Sequence, residues 1–200
     1  MHISDGVLPT SVAIGGYAAS AVLVFWSARR SRHRDLPKLA VMTAAFFVAS
    51  LVHIPFGPTS VHLILPGLTG ALLGPSAFLS IGLGLLLQSL LFQFGGITAL
   101  GVNTVIMALP AVICYLMFSP LLHKNSTLAL LASFACGFLA VLLSAIILGL
   151  ALLFTEENFL EVSAIVIAAH IPVMIIEGFI TAICVSFIRR VQPAMLPGSS

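Results

Sequence analysis

The feature that most constrains this chain is a long stretch without formal charge, because no Asp, Glu, Lys or Arg occurs between Leu39 and His123. Soluble domains carry about 25% charged residues, so a soluble fold would not leave a stretch of this length uncharged. Across all 200 residues, 60% are hydrophobic and 7% are charged. The chain is therefore predicted to be an all-α, polytopic membrane protein, a single helical bundle that occupies residues 1–200.

Charge and cysteine content limit the partners and the covalent cross-links that the chain is expected to have. The formal net charge of +2 gives no reason to expect a nucleic-acid partner. Cys114, Cys136 and Cys184 are isolated within apolar runs, so they predict packed thiols rather than a disulfide framework. A secretory signal peptide has its basic residues before its apolar run. Here the basic cluster 29–34 follows the apolar run, so the N-terminus is expected to be retained.

Apolar runs bounded by charged or by proline- and glycine-rich segments mark the predicted membrane spans. A helix needs about 20 apolar residues to cross a hydrocarbon core of about 30 Å. Residues 60–74 reach only about 22 Å at about 1.5 Å per residue, and Pro66 and Gly67 interrupt them. They therefore predict a short, broken third segment. The seven predicted spans are residues 11–28, 39–54, 60–74, 75–94, 102–118, 127–154 and 162–188.

The basic residues decide whether the short segment crosses. Cytoplasmic ends of spans carry an excess of Lys and Arg. If residues 60–74 cross, the loop 29–38, Lys124 and the tail at 189–190 all lie on one side, and otherwise Lys124 and the tail change sides. Seven spans are therefore predicted, with the N-terminus outside and the C-terminus cytoplasmic. A broken crossing is tolerated only where it is buried in protein or lines a cavity, so residues 55–74 are the expected wall of a binding site.

The N-terminal sequence Met1-His2 has the atoms of a metal chelator. The α-amine, the amide nitrogen of His2 and the imidazole Nδ1 of His2 can reach one cation by closing a five-membered and a six-membered ring. The three nitrogens lie in one plane and leave one in-plane position open. Tetragonal nitrogen coordination suits Ni(II) or Cu(II), and Co(II) is also compatible. Most chains that begin with Met-His bind no metal there, so the dipeptide alone does not establish a site.

His62 is the residue best placed to complete such a site. It lies near the predicted outer end of the short third segment, on the same side of the membrane as His2. Neutral imidazole is the commonest metal ligand, so His62 can fill the fourth position. The alternative is an interfacial histidine that is satisfied by water or by the backbone, and spacing alone leaves both interpretations open.

Four sequence blocks, spread over nearly the whole chain, carry a resemblance to a known family. The chain resembles the membrane-embedded substrate-capture (S) subunit of nickel and cobalt energy-coupling-factor (ECF) transporters, the CbiM/NikM family. The first two blocks together are specific, and the last two support them. The blocks are MHISDGVLP at the N-terminus, HIPFGPTSVHLILPGLTGALLGP (53–75), GGITALGVNTVIMALP (95–110) and HIPVMIIEGFIT (170–181).

The resemblance implies a site, partners and a location. The N-terminus is expected to be inserted into the bundle, with the ion in a roughly planar site made by Met1, His2 and His62. The implied partners are a transmembrane coupling (T) subunit, two ATPase subunits and a small accessory membrane subunit. The implied location is the cytoplasmic membrane of a bacterium or archaeon, where the chain spans the lipid bilayer several times.

Five further residues are candidates for supporting roles. Asp5 either orients a ligating imidazole or belongs to a turn. Asn103 either hydrogen-bonds the N-terminal segment or caps a helix, and the cap is slightly favoured. Glu177, the one formally charged residue deep in a span, either has a functional role or links helices, and the second interpretation is favoured. His170 either faces the cavity or packs in the core, and His53, where family members often have a polar amide, adds either a ligand or a hydrogen bond.

The predicted function is the capture of Ni(II) or Co(II), as a transported substrate, by a non-catalytic subunit. No catalytic cofactor is expected. The chain has no G-x-x-x-x-G-K-[ST] motif, so ATP hydrolysis is expected of the partner subunits. Two alternatives stay open from the residues alone. One is a capture subunit of the same transporter class for an organic solute, and the other is an intramembrane metal-dependent enzyme with Glu177 as proton carrier.

Overall fold

Seven helices and one short hairpin form the part of the chain that the structure, a computed structural model, describes. It describes residues 2–51, 53–56, 59–152 and 159–197, with side chains outside 52–61 and 153–163. The helices are α1 (Thr10–Arg30), α2 (Leu36–Ala49), α3 (Pro66–Leu73), α4 (Ala77–Phe92), α5 (Leu100–Leu122), α6 (Ser126–Leu152) and α7 (Phe159–Val191), and the strands are β1 (His53–Phe56) and β2 (Thr59–His62).

The membrane class follows from helix length and composition. Five helical segments among the described residues are long and apolar enough to cross a membrane. One of them contains α3, a 3-10 turn and α4, so it is not one continuous α-helix, and α2, with 14 residues, is shorter than a span. The prediction of a multi-pass helical protein is confirmed, and the count of seven spans stays a prediction. The five segments are Thr10–Arg30, Pro66–Phe92, Leu100–Leu122, Ser126–Leu152 and Ala164–Val191.

The predicted spans 39–54 and 60–74 differ from the structure in a specific way. Helix α2 ends at Ala49, and β1 pairs with β2 as antiparallel strands, with His53 opposite His62. Pro55 lacks the backbone N–H that would donate a helical hydrogen bond, so it interrupts a helix. Of the short third segment, only Pro66–Leu73 is helical, which corresponds to about 12 Å at about 1.5 Å per residue.

The chain turns back sharply between α3 and α4. His62 lies against His2 near the start of α1, whereas the Oγ of Ser76 is 2.8 Å from that of Ser31, just beyond the end of α1. Because the 21 residues of α1 span about 31 Å, these two contacts lie at opposite ends of the bundle. The turn occurs in the 3-10 segment Gly74–Ser76, where Gly74 has a φ of +54°. Helix α3 thus runs from the histidine end to the other end, and α4 returns.

Helix α3 is the most enclosed element of the bundle. All eight of its residues are buried, and it packs mainly on α5, α6 and α7. A Cβ at Gly70 would lie 2.2 Å from the carbonyl oxygen of Ala111 in α5. The absence of a side chain at Gly70 therefore allows the close approach of α3 to α5.

The basic residues gather at the end of the bundle that is opposite the two histidines. Arg189 donates to the carbonyl of Lys124 at 2.6 Å, and Lys38 donates to the carbonyl of Met195 at 3.1 Å. These bonds tie the loop after α1, the turn after α5 and the C-terminal segment together. All eight Lys and Arg residues of the chain lie in these three segments or in the helix turns next to them, Lys38 being in the first turn of α2. We call this the basic end, and the end that contains His2 and His62 the histidine end.

Candidate metal centre

The N-terminal segment is held inside the bundle by a side-chain amide. Asn103, in the first turn of α5, accepts a hydrogen bond from the Ile3 backbone N–H at 2.9 Å and donates to the Ile3 carbonyl at 3.0 Å. Both Ile3 and Asn103 are buried. The pair of bonds fixes the backbone on the C-terminal side of His2. The N-cap position of α5 is Ala99, so the capping interpretation of Asn103 is wrong.

A second contact fixes the turn that follows. The Asp5 carboxylate accepts from the backbone N–H of Thr98 at 2.8 Å and from its hydroxyl at 2.6 Å. The Thr98 hydroxyl and neighbouring backbone N–H groups hold the pKa of Asp5 below its usual value, although partial burial opposes them. A Cβ at Gly96, which has a φ of +70°, would lie 1.9 Å from Asp5 Cγ. The carboxylate therefore packs directly on the Gly96 backbone, where a side chain would displace it.

The predicted histidine pair meets at the centre of the histidine end. His2 Nδ1 and His62 Nε2 are 3.1 Å apart, and the two rings stack with centroids 4.5 Å apart and planes inclined by 19°. Both side chains are buried, with 5% and 3% of their surface exposed. Nδ1 of His2 is the nitrogen that the chelate would use, and it faces Nε2 of His62.

The hydrogen bonds around His62 define which of its nitrogens is available. His62 Nδ1 is 2.9 Å from the carbonyl oxygen of Leu63, which only accepts, so Nδ1 carries the proton. In the neutral ring Nε2 then has its lone pair directed at His2. Without an ion, His2 Nδ1–H donates to that lone pair. A cation between the rings would replace this proton and shift the His2 proton to Nε2.

Helix α7 contacts the segment that follows His62. Glu177 Oε1 accepts from the backbone N–H groups of Ile64 and Leu65, at 2.6 and 2.7 Å. The side chain of Glu177 is fully buried. Leu65, which precedes α3, has a φ of +54°. Glu177 therefore links α7 to the connection between His62 and α3, which agrees with the favoured interpretation that it joins elements of the bundle.

The distance between the histidine nitrogens fits two neighbouring ligands of one metal ion. With metal–nitrogen bonds of about 2.0 Å, neighbouring ligands are about 2.8 Å apart in a square plane and about 3.3 Å apart in a tetrahedron, whereas opposite ligands in a plane are about 4 Å apart. The observed 3.1 Å therefore fits neighbouring positions in either geometry and excludes opposite ones. The chelate predicts this arrangement, because the open position lies beside the imidazole. No group of three or more His, Cys, Asp or Glu side chains close enough to hold one ion occurs among the described residues.

The remaining candidates are placed as follows. Met1 lies outside the described residues, and so does the side chain of His53. His170 is buried in α7, and its Nδ1 donates to the Val166 carbonyl at 2.7 Å. Its place is thus in the core.

Two contributors to the site were not predicted from sequence. The Leu63 carbonyl sets the proton position on His62, and Thr98 anchors Asp5. A backbone carbonyl carries no sequence signal, and a single threonine after two glycines carries a weak one. The two glycines, Gly95 and Gly96, both have positive φ.

Comparison with known proteins places the chain in a family. The sequence profile of CbiM, described as the cobalt uptake substrate-specific transmembrane region, matches residues 2–195. A putative metal transport protein of Haemophilus influenzae is 34% identical over 199 residues, which cover 98% of this chain and 97% of that protein. A putative fused nickel transport protein, NikMN, of Archaeoglobus fulgidus is 34% identical over 98% of this chain and 68% of its own length.

A solved structure shares the fold. The crystal structure of a transition metal transporter superposes with a TM-score of 0.83 at 27% identity, and the match covers 96% of this chain and 93% of that one. Proteins of this family are membrane components of metal transport that work with other transporter components, and they are not enzymes. The interpretation as an intramembrane enzyme is therefore wrong. The chain belongs to the CbiM family of substrate-specific transmembrane metal transport proteins.

Proposed function

We propose that this chain captures Ni(II) or Co(II) in a planar site of four nitrogens and is the substrate-specificity subunit of an ATP-driven ECF importer. The ligands are the Met1 amine, the amide nitrogen and Nδ1 of His2, and Nε2 of His62. The observation that carries the proposal is the buried approach of His2 Nδ1 to His62 Nε2 at 3.1 Å. Ni(II) and Co(II) are preferred over an organic solute because both facing atoms are metal-ligating nitrogens and the family transports metals.

The contacts of the N-terminal segment support a prearranged chelate. Asn103 fixes Ile3 and Thr98 fixes Asp5, so His2 enters the bundle on a backbone with two anchors. Burial removes competing water from the site, and holding ligands in place before binding reduces the ordering cost of binding. A site with four protein nitrogens in a plane is coordinatively closed in that plane, which suits capture and carriage of an ion.

The charge distribution supports capture from the outer face. Because the basic end contains all the Lys and Arg residues, the positive-inside rule orients it to the cytoplasm. The histidine end then faces the outside of a bacterial or archaeal cytoplasmic membrane. The reversal at Gly74–Ser76 gives the segment 62–73 its own pass through the bundle, which supports seven passes with the N-terminus outside and the C-terminus cytoplasmic.

The importer would draw its energy from partner subunits. The chain has no nucleotide-binding loop. We propose that a transmembrane coupling subunit and two ATPase subunits drive inward release, with a small accessory membrane subunit as a further partner. Copurification of the chain with these components from its native membrane, and loss of metal uptake when the ATPases are inactivated, are the expected results.

The N-terminal ligands can be tested by changing their spacing. Inserting one glycine between Met1 and His2 destroys both chelate rings and is expected to abolish Ni(II) and Co(II) binding in isothermal titration. One extra glycine at the C-terminus is the matched control and is expected to leave binding unchanged. Equal affinity of the insertion variant and the control would refute the N-terminal site.

The fourth ligand has its own test. His62→Ala removes one of four proposed donors and is expected to weaken binding by more than the ten- to hundredfold typical of a lost outer partner. Full retention of affinity in this variant would show that His62 does not coordinate the ion.

A further inference from the structure

We propose that Glu177 tunes and positions the metal ligand His62 through a single peptide group, the one that joins Leu63 to Ile64. The two ends of this peptide group bond to the two residues. Its carbonyl oxygen accepts from His62 Nδ1 at 2.9 Å, and its N–H donates to Glu177 Oε1 at 2.6 Å. One continuous hydrogen-bonded path thus runs from the carboxylate through the peptide group to the imidazole of His62. The lone pair on Nε2 of that imidazole faces His2.

The path resembles the hydrogen bonding of metal-binding histidines in other proteins, with a peptide group inserted between the imidazole and the carboxylate. Histidines that bind metals usually donate their second N–H to a carboxylate or a carbonyl, which fixes the tautomer and raises the basicity of the ligating nitrogen. Here the acceptor is a carbonyl whose own peptide N–H points at a carboxylate. Hydrogen bonds in series polarise one another, so Glu177 makes the Leu63 oxygen a better acceptor for the His62 proton.

The geometry around Glu177 strengthens this interpretation. One oxygen atom, Oε1, receives two backbone N–H groups at 2.6 and 2.7 Å. The side chain is fully buried, so water does not weaken these bonds. The second bond holds Leu65, which has a left-handed backbone conformation at the start of α3. Glu177 therefore fixes both the direction of the His62 acceptor and the path of the chain away from it.

The charge and the shape of Glu177 can be separated by two substitutions. Glu177→Gln retains an oxygen acceptor of nearly the same size but removes the negative charge, and it is expected to weaken Ni(II) binding about tenfold. Glu177→Ala removes the acceptor as well and is expected to weaken binding by up to about a hundredfold. Thr181→Val is the matched control, since Thr181 is also fully buried, one turn further along α7, beside Gly137. It is expected to bind Ni(II) as the unaltered chain does.

The test that distinguishes tuning from packing is made without metal. The expected effect of Glu177 on metal affinity rests on the proposed metal site, but the hydrogen-bonded path exists in the ion-free chain. With ¹⁵N-labelled histidine, the unaltered chain and Thr181→Val are expected to show His62 as the neutral tautomer protonated at Nδ1. Glu177→Gln is expected to shift the Nδ1 resonance and reduce the population of that tautomer, and if Glu177→Ala fails to fold, Glu177→Gln decides the outcome.

The possible results separate the two claims. An unchanged His62 resonance and an affinity within twofold in Glu177→Gln would overturn the role of Glu177. Alternatively, the His62 resonance could shift in Glu177→Gln while the unaltered chain binds no Ni(II). That result would support the hydrogen-bonded path and refute the proposed function.

Discussion

Removing the amide of Asn103 should weaken metal binding at a site that Asn103 does not touch. Asn103→Ala deletes both bonds to Ile3, each of which contributes about 1 kcal/mol net in a buried position. The sum of about 2 kcal/mol corresponds to a factor of about 30 in an equilibrium constant. Because His2 must be docked to reach His62, the loss of docking free energy reduces the apparent affinity for the ion by up to that factor.

The assay is isothermal titration of the purified chain, with its own N-terminus, against Ni(II). Gln88→Leu is the matched control, because Gln88 is another fully buried side-chain amide, but it donates to Ser50 beyond the end of α2 rather than to the N-terminal segment. This control is expected to lower thermal stability without changing affinity. A change of less than threefold in Asn103→Ala would refute the idea that the Ile3 clamp prearranges the chelate.

Three further predictions concern the loop, pH and topology. Gly96→Ala should displace the Asp5 carboxylate and weaken Ni(II) binding about tenfold, whereas Gly15→Ala, where a Cβ would meet open space, should be neutral in the same titration. Affinity should fall as pH decreases from 8 to 6, because the ion must displace protons from the amine and the imidazoles, whose usual pKa values are about 8 and about 6.5. The lowered pKa of Asp5 keeps its carboxylate charged throughout that range, so Asp5→Asn should shift affinity without changing the slope of its dependence on pH. In intact cells, an impermeant maleimide should label Ile97→Cys at the histidine end but label Arg34→Cys at the basic end only after permeabilisation, and the reverse pattern would contradict the orientation.

The helices could be predicted from the sequence because the patterns that mark them are local. Uncharged apolar runs end at charged or proline-rich segments, and the bounds of α1, α5 and α7 lie within a few residues of the predicted ones. The pairing of β1 with β2 could not be predicted. Its strands are four residues long, and a segment of mixed polarity with two prolines has no clear period of two.

For the site as well, features set by neighbouring residues could be predicted, and contacts between distant parts of the chain could not. The chelating atoms of residues 1 and 2 follow from covalent structure, and His62 follows from its place near the outer end of a broken segment. The partners of Asn103 and Glu177 lie 100 and 113 residues away in the chain, so only the packing of α5 and α7 against the N-terminal and 63–65 segments reveals them. The same packing resolves Asn103 as an anchor of Ile3, an alternative that spacing had left open.

The most direct test of the proposed metal site is the metal content and absorption spectrum of the chain purified with its native N-terminus. We expect one Ni(II) per chain, with the spectrum of a planar site of four nitrogens, and the loss of both in the variant with glycine between Met1 and His2. A chain that retains no Ni(II), or a bound ion with the spectrum of a six-coordinate site in both proteins, would contradict capture by the N-terminal chelate and His62.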